Sequence, residues 1–223
     1  MSRSEPPFRR WRPAGPRVLA LVSLLCSPAG AAAQTRVTVT PYFTTHFPLQ
    51  SYDRAYGPGG IFLGEFKQTN APGVGAKISI WLSPDFALES DFNYVLSGTR
   101  VTPKSEEVAQ FEDDGHQIHL AGLLAYRPNR WLVVSGGGGF MLRGGDAWRD
   151  ELAPGSLRFK RSNFTTVFSL GAFLPLAKGF TPRLSVDALV YWAEKLDTEL
   201  NPFHKRTWMQ EDIEVKLGVP IGL

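Results

Sequence analysis

From Ile213 to Leu223 every second residue is apolar, namely Ile213, Val215, Leu217, Val219, Ile221 and Leu223, while Asp212, Glu214, Lys216 and Gly218 take the alternate positions. Side chains of a β-strand point to opposite faces in turn, so this period of two marks a strand with one face in an apolar medium and the other out of it. The same pattern recurs upstream. Eight strands are predicted, the first over 36–47, where Val37, Val39, Pro41 and Phe43 oppose Arg36, Thr38, Thr40 and Tyr42. The second, 73–82, sets Val74, Ala76, Ile78, Ile80 and Leu82 against Lys77, Ser79 and Trp81. In the third, 86–98, Phe86, Leu88, Phe92, Tyr94 and Leu96 face one way and Glu89, Asp91 and Asn93 the other. The fourth, sixth, seventh and eighth run over 115–127, 162–176, 182–193 and 207–223. The fifth, 131–142, is ambiguous in its faces because Leu132, Val133 and Val134 are all apolar and Gly136 to Gly139 follow.

The connections alternate in length. Ser83-Pro84-Asp85, Pro128-Asn129-Arg130 and 177–181 are short, whereas 48–72, 99–114, 143–161 and 194–206 are long. Antiparallel transmembrane barrels are built this way, with turns on the periplasmic side and loops outside. Cost decides which face meets lipid. A charge at the bilayer midplane on the lipid side costs about 2–4 kcal/mol, and the apolar faces of the third, sixth, seventh and eighth strands carry only Glu211. Glu89, Asp91, Arg183, Asp187, Asp212, Glu214 and Lys216 on the opposite faces therefore point into the lumen, where unpaired charge is not tolerated and an internal salt-bridge network is required. Phe43, Phe47, Trp81, Phe86, Tyr126, Trp131, Phe180, Trp192 and Trp208, near strand ends, are expected to form interfacial girdles.

Residues 1–33 read as a cleaved secretory signal peptide: a basic segment with Arg3, Arg9, Arg10, Arg12 and Arg17, an apolar run from Val18 to Cys26, and small residues ending at Ala33. Its loss changes the charge. The chain has 24 Lys and Arg against 21 Asp and Glu; five arginines and Glu5 leave with the signal, so the mature chain holds 19 against 20. Near neutrality removes the support for nucleic-acid binding. Cys26 leaves too, so disulfide and thiol chemistry are excluded from the mature domain, 34–223.

With its signal peptide, eight alternating strands, alternating turns and loops, and alternating terminal strand, the chain resembles the small eight-stranded outer-membrane barrels of Gram-negative bacteria, of the OmpA transmembrane domain and OmpX type. The resemblance covers 34–223. It implies an all-β, eight-stranded antiparallel up-and-down transmembrane β-barrel, a monomer in the cell outer membrane, with outer-membrane lipid, lipopolysaccharide and the outer-membrane assembly machinery as partners. In that group the final strand usually ends in an aromatic, typically Phe; here Leu223 stands last.

Candidate chemistry is sparse. His116 and His119 neighbour Glu112, Asp113 and Asp114, but strand positions three apart face opposite sides, so no metal site is expected. The acidic loop is expected to turn at Asp114-Gly115. Gly136 to Gly139 precede Phe140-Met141-Leu142 rather than a Lys-Ser/Thr and helix, so they read as strand glycines, not a phosphate loop. Some small barrels resembling this one are lipid A deacylases or palmitoyltransferases, but the His-x-Ser pair expected of the deacylases is missing at His46, His116, His119 and His204. No enzyme activity and no cofactor are expected. The long loops carry Arg149, Arg158, Lys160, Lys205 and Arg206 as candidate contacts to lipopolysaccharide phosphates or an acidic partner. The expected role is structural or loop-mediated, not general diffusion, since an eight-stranded lumen is filled by its own side chains. The alternative is a secreted soluble barrel of lipocalin type, with the apolar faces turned inward onto a ligand.

Overall fold

The computed structural model describes residues 36–50, 53–56, 62–103, 111–145, 158–159, 162–196 and 207–223. The predicted signal peptide and its cleavage site lie outside the described residues. Among the described residues fourteen strands follow in chain order: β1 Arg36–Pro48, β2 Asp53–Tyr56, β3 Phe62–Gln68, β4 Ala71–Trp81, β5 Phe86–Val95, β6 Thr99–Pro103, β7 Phe111–Asp113, β8 Gly115–Tyr126, β9 Leu132–Gly145, β10 Arg158–Phe159, β11 Ser162–Phe173, β12 Arg183–Leu196, β13 Thr207–Gly218 and β14 Ile221–Gly222.

The eight long strands pair antiparallel in the order β12-β11-β9-β8-β5-β4-β1-β13, and β13 pairs back onto β12, closing the sheet into a barrel. Its geometry follows from register. Directly paired residues lead from Thr38 through Ser79, Glu89, Leu123, Gly137, Val167, Leu189 and Asp212 to Pro48, ten residues along the strand from the start. A shear of ten over eight strands sets a tilt of about 40°. The strands, of 10 to 14 residues, are then long enough to cross a bilayer.

Burial alternates along every long strand, and it settles which way the faces point. Phe43, Phe92, Leu120, Phe140, Phe168, Leu170 and Trp192 stand 47–75 % exposed on the outside. Among the described side chains of the eight long strands, Glu211 is the only charged one at an outward position. Lys77, Glu89, Asp91, Arg183, Asp187, Asp212, Glu214 and Lys216 are buried inside. This is the reverse of a soluble ligand-binding barrel, so the lipocalin alternative is corrected: an exterior of leucines and phenylalanines is stable only in lipid.

The short turns are closed by local hydrogen bonds. Ser83 Oγ accepts from the Phe86 amide at 3.0 Å, and Asn129 Oδ1 accepts from the amides of Trp131 and Leu132 at 2.8 and 3.0 Å. At the third turn Gly179, with φ of +80°, supplies the left-handed residue between Ala177 and Phe180.

Three expectations are revised. Three of the long connections contain strand: β2, β3, β6 and β7 form a second, four-stranded antiparallel sheet on the loop side, and β10 extends the barrel sheet by pairing with β12. Asp114-Gly115 makes no turn, because it joins β7 directly to β8 and Gly115 pairs with Gly145. Trp81 is not a girdle residue. It packs inward with Phe173 against Ala87, Ala125 and Val133, and the Arg127 guanidinium lies 4.5 Å from its ring centre. The ambiguous fifth strand resolves as β9, with Val133, Ser135, Gly139, Met141 and Arg143 buried inside and Leu132, Val134, Phe140 and Leu142 outside.

Candidate functional site: the barrel lumen

Period two brings the inward side chains of all eight strands to one axis, and the shear decides which of them meet. At the turn end Ala87, Ala125, Val133, Trp81 and Phe173 make an apolar floor. Arg183 rises from it, its guanidinium 5.7 Å from the Phe173 ring centre, and grips Glu89 with two nitrogens at 2.6 and 3.2 Å. Glu89 also accepts from Ser79 and Ser135 at 3.0 and 3.2 Å.

One layer further in, Lys216 Nζ lies 2.8 Å from Asp91, 2.8 Å from Asp187 and 3.0 Å from Glu214. Lys77 Nζ stands beside the same acids, 3.4 Å from Asp91, 3.7 Å from Asp187 and 3.8 Å from Glu89. The Tyr42 hydroxyl donates to Asp91, and Ser169 donates to Asp187. Toward the loops His46 lies 3.3 Å from Asp212 and 3.6 Å from Glu214, and Tyr191 donates to Asp212 at 2.7 Å. Above these, the Gln68 amide is within hydrogen-bonding distance of His46, Ser97 and Gln117.

All seven lumen residues expected from the sequence, Glu89, Asp91, Arg183, Asp187, Asp212, Glu214 and Lys216, thus join one connected network. Lys77, Tyr42 and His46 belong to it as well. Parity places them there: Tyr42 and His46 lie on the polar face of β1 and Lys77 on the polar face of β4, as Asp212 lies on the face of Glu214 and Lys216 in β13. A network of this kind resists opening: removing either partner of a buried ion pair leaves an uncompensated charge, which costs far more than a surface pair is worth.

One wall of the lumen is apolar. Ala121, Leu123, Val167 and Leu189 pack together there, and the glycines of β9 let β8 and β11 close on them. A Cβ added at Gly139 would stand 2.6 Å from Ala121 Cα, and one at Gly137 2.9 Å from Leu123 Cα. On the outside, a Cβ at Gly138 would meet the Phe164 ring at 2.7 Å. These are packing glycines. His119 points inward and is buried, while His116 faces outward and stacks on Tyr94 with ring centres 5.7 Å apart. The two imidazoles therefore share no ligand. Of the predicted loop contacts, Arg149, Lys160, Lys205 and Arg206 lie outside the described residues, and only the backbone of Arg158, in β10, is described.

No protein-family model and no curated protein sequence matches the chain. Solved structures do. The outer membrane protein OprG from Pseudomonas aeruginosa is similar over 85 % of this chain and 96 % of its own, with a TM-score of 0.58 and 14 % identity. The outer membrane protein AlkL, solved in lipid bilayers, is similar over 88 % of this chain and 94 % of its own, with a TM-score of 0.53 and 17 % identity. This is the fold of a small outer-membrane β-barrel. An apolar exterior and an ion-paired interior are what that fold requires, and the chain is accordingly an integral outer-membrane barrel. The lumen of the outer-membrane barrel is occupied by side chains of the barrel itself.

Proposed function

We propose that the chain is a monomeric, non-catalytic outer-membrane barrel that holds its loops at the cell surface and does not pass solutes by general diffusion. The observation that carries this reading is the occupied lumen. Lys77 and Lys216 sit among Glu89, Asp91, Asp187 and Glu214, above a floor containing Trp81 and Phe173. An ion crossing at this level must displace several charge-assisted bonds at once, each roughly twice as strong as a neutral hydrogen bond. The non-catalytic part is supported by the histidines. His46 is met by Gln68, Asp212 and Glu214, and neither ring nitrogen of His119 has a hydrogen-bond partner, so neither activates a serine.

The test is conductance of the purified chain in planar bilayers and swelling of liposomes that contain it. No steady unitary conductance and no swelling with small sugars are expected. Stepwise openings abolished by substituting Lys216 or Asp187 would replace this reading with a gated ion path through the network. The outward role falls to the loops 143–161 and 194–206, whose Arg149, Arg158, Lys160, Lys205 and Arg206 are proposed to contact lipopolysaccharide phosphates or an acidic partner. Deletion of 146–157 combined with R158Q and K160Q is expected to weaken surface binding with the barrel intact. The excision stops short of Arg143, which is buried and hydrogen-bonded to Asn163. Unchanged binding would remove the loop role.

A further inference from the structure

His46 of β1 meets a carboxylate at each ring nitrogen: Nε2 lies 3.3 Å from Asp212 and Nδ1 3.6 Å from Glu214. An ionised carboxylate only accepts hydrogen bonds, and a neutral imidazole carries a single N–H. In the neutral ring one nitrogen would therefore turn a lone pair toward a carboxylate. All three side chains are fully buried, where such repulsion is poorly screened. The doubly protonated ring answers both acids. Charge balance leads to the same form. Among the described side chains inside the barrel, Glu89, Asp91, Asp187, Asp212 and Glu214 stand against Lys77, Arg143, Arg183 and Lys216. One carboxylate is left over, and an imidazolium at His46 neutralises it.

The surroundings of the ring are set by six strands. From β13 come Asp212 and Glu214, with Lys216 3.0 Å beyond Glu214. Tyr191 of β12 donates to Asp212, and Arg143 of β9 lies over the Tyr191 ring. The charge of Glu214 also acts on His119 of β8, while β4 opposes His46 with Ala71. The sixth, β3, reaches the ring from the loop-side sheet through Gln68, its last residue, which pairs with Thr99 of β6. The Gln68 amide lies 3.2 Å from His46 Nε2, 2.5 Å from the Ser97 hydroxyl and 2.8 Å from the Gln117 amide. An amide has a donor end and an acceptor end. Gln68 meets a protonated Nε2 with its oxygen and a bare one with its nitrogen, and Ser97 and Gln117 can reverse with it. The proton on His46 is thus read at the joint between the barrel and the loop-side sheet.

We propose that His46 is a proton-operated latch, an imidazolium that ties Asp212 to Glu214 and, through Gln68, holds the end of β3 on the barrel. With the proton bound, the ring gives charge-assisted hydrogen bonds to its neighbours. When rising pH removes the proton, two buried carboxylates lose the cation between them, Gln68 must turn over, and the end of β3 loosens. The latch needs the barrel fold alone and is independent of the loop role.

The experiment uses the full mature chain, isotopically labelled and refolded in detergent micelles, with folding checked by gel mobility before and after boiling. NMR spectra of the ring nitrogens are expected to show both nitrogens of His46 protonated at neutral pH; a neutral ring there overturns the proposal, and this arm needs no variant to fold. On raising the pH, the His46 ring signals and the backbone amide signals of 64–68 should change in one step, and amides that do not follow the ring overturn the coupling. At one fixed pH, hydrogen exchange of amides 64–68 should be about tenfold faster in H46Q than in the parent, the scale of one lost charge-assisted bond. Unchanged exchange in folded H46Q overturns the latch. H46Q/E214Q and H46Q/D212N each leave four acids against four bases and should return exchange toward the parental rate. Failure of both to do so would reduce His46 to a packing residue and overturn the charge role.

Discussion

Lys216 has Asp91, Asp187 and Glu214 within 3.0 Å and no solvent to fall back on. Replacing it by methionine keeps most of its volume and leaves three carboxylates facing one another. A loss of about 3–5 kcal/mol is expected for K216M, the scale measured when one partner of a buried pair is removed, and denaturant unfolding in lipid vesicles followed by tryptophan fluorescence would report it. K77M should cost less, because Lys77 stands 3.4–3.8 Å from its acids. A different residue-scale limit is set at Gly75, where an added Cβ would lie 2.5 Å from the Tyr42 ring and hydroxyl. Tyr42 cannot yield easily, since Asp91 holds its hydroxyl. G75A should therefore lose about 1–3 kcal/mol through overpacking, and the same assay checks it. Alternation made the inward position of Glu89, Asp91, Arg183, Asp187, Glu214 and Lys216 legible from the sequence. It could not say that Lys216 would meet Asp91, 125 residues away, because that depends on the shear of the closed barrel.

The long strands were legible as elements because each carries one parity throughout. Phe86–Val95, with Phe86, Leu88 and Phe92 out and Ala87, Glu89 and Asp91 in, is the clearest instance. The loop-side sheet was not legible, because the register slips by one residue where β3 and β6 meet β4 and β5, Asn70 and Ala71 together answering Ser97. Across Asn70-Ala71 the parity flips, so Phe62–Gln68 cannot be read as a continuation of Ala71–Trp81 although the chain barely leaves the sheet between them. The terminal strand shows the opposite behaviour. Pro220 interrupts it after Gly218, yet Ile221 and Gly222 pair with Val39 and Thr38 in the register that joins Leu217 to Phe43. Prolines are tolerated where no ladder partner is lost, and the apolar alternation runs through. At this scale the lipid-facing surface is tested by depth. F168R, on the exposed face of β11, should cost about 2–4 kcal/mol, whereas L176R, beyond the end of that strand in the turn, should cost about 0–1 kcal/mol; refolding free energies in vesicles separate the two.

For the molecule as a whole, closure of β13 onto both β12 and β1 removes every edge from the membrane-spanning sheet. The expected signature is a band that migrates faster on an SDS gel before boiling than after it, with K216M losing the fast band at a lower temperature. Closure also has a consequence for how the chain is made. Lys216 arrives on the last long strand, and the acids it serves, Asp91 on β5 and Asp187 on β12, are synthesised well before it. Until β13 is in place β12 and β1 keep open edges, and an unpaired strand edge has no partner for its backbone groups in lipid. Closure therefore acts as a check on length: a polypeptide cut short before β13 keeps two unpaired edges and cannot complete a bilayer-spanning sheet.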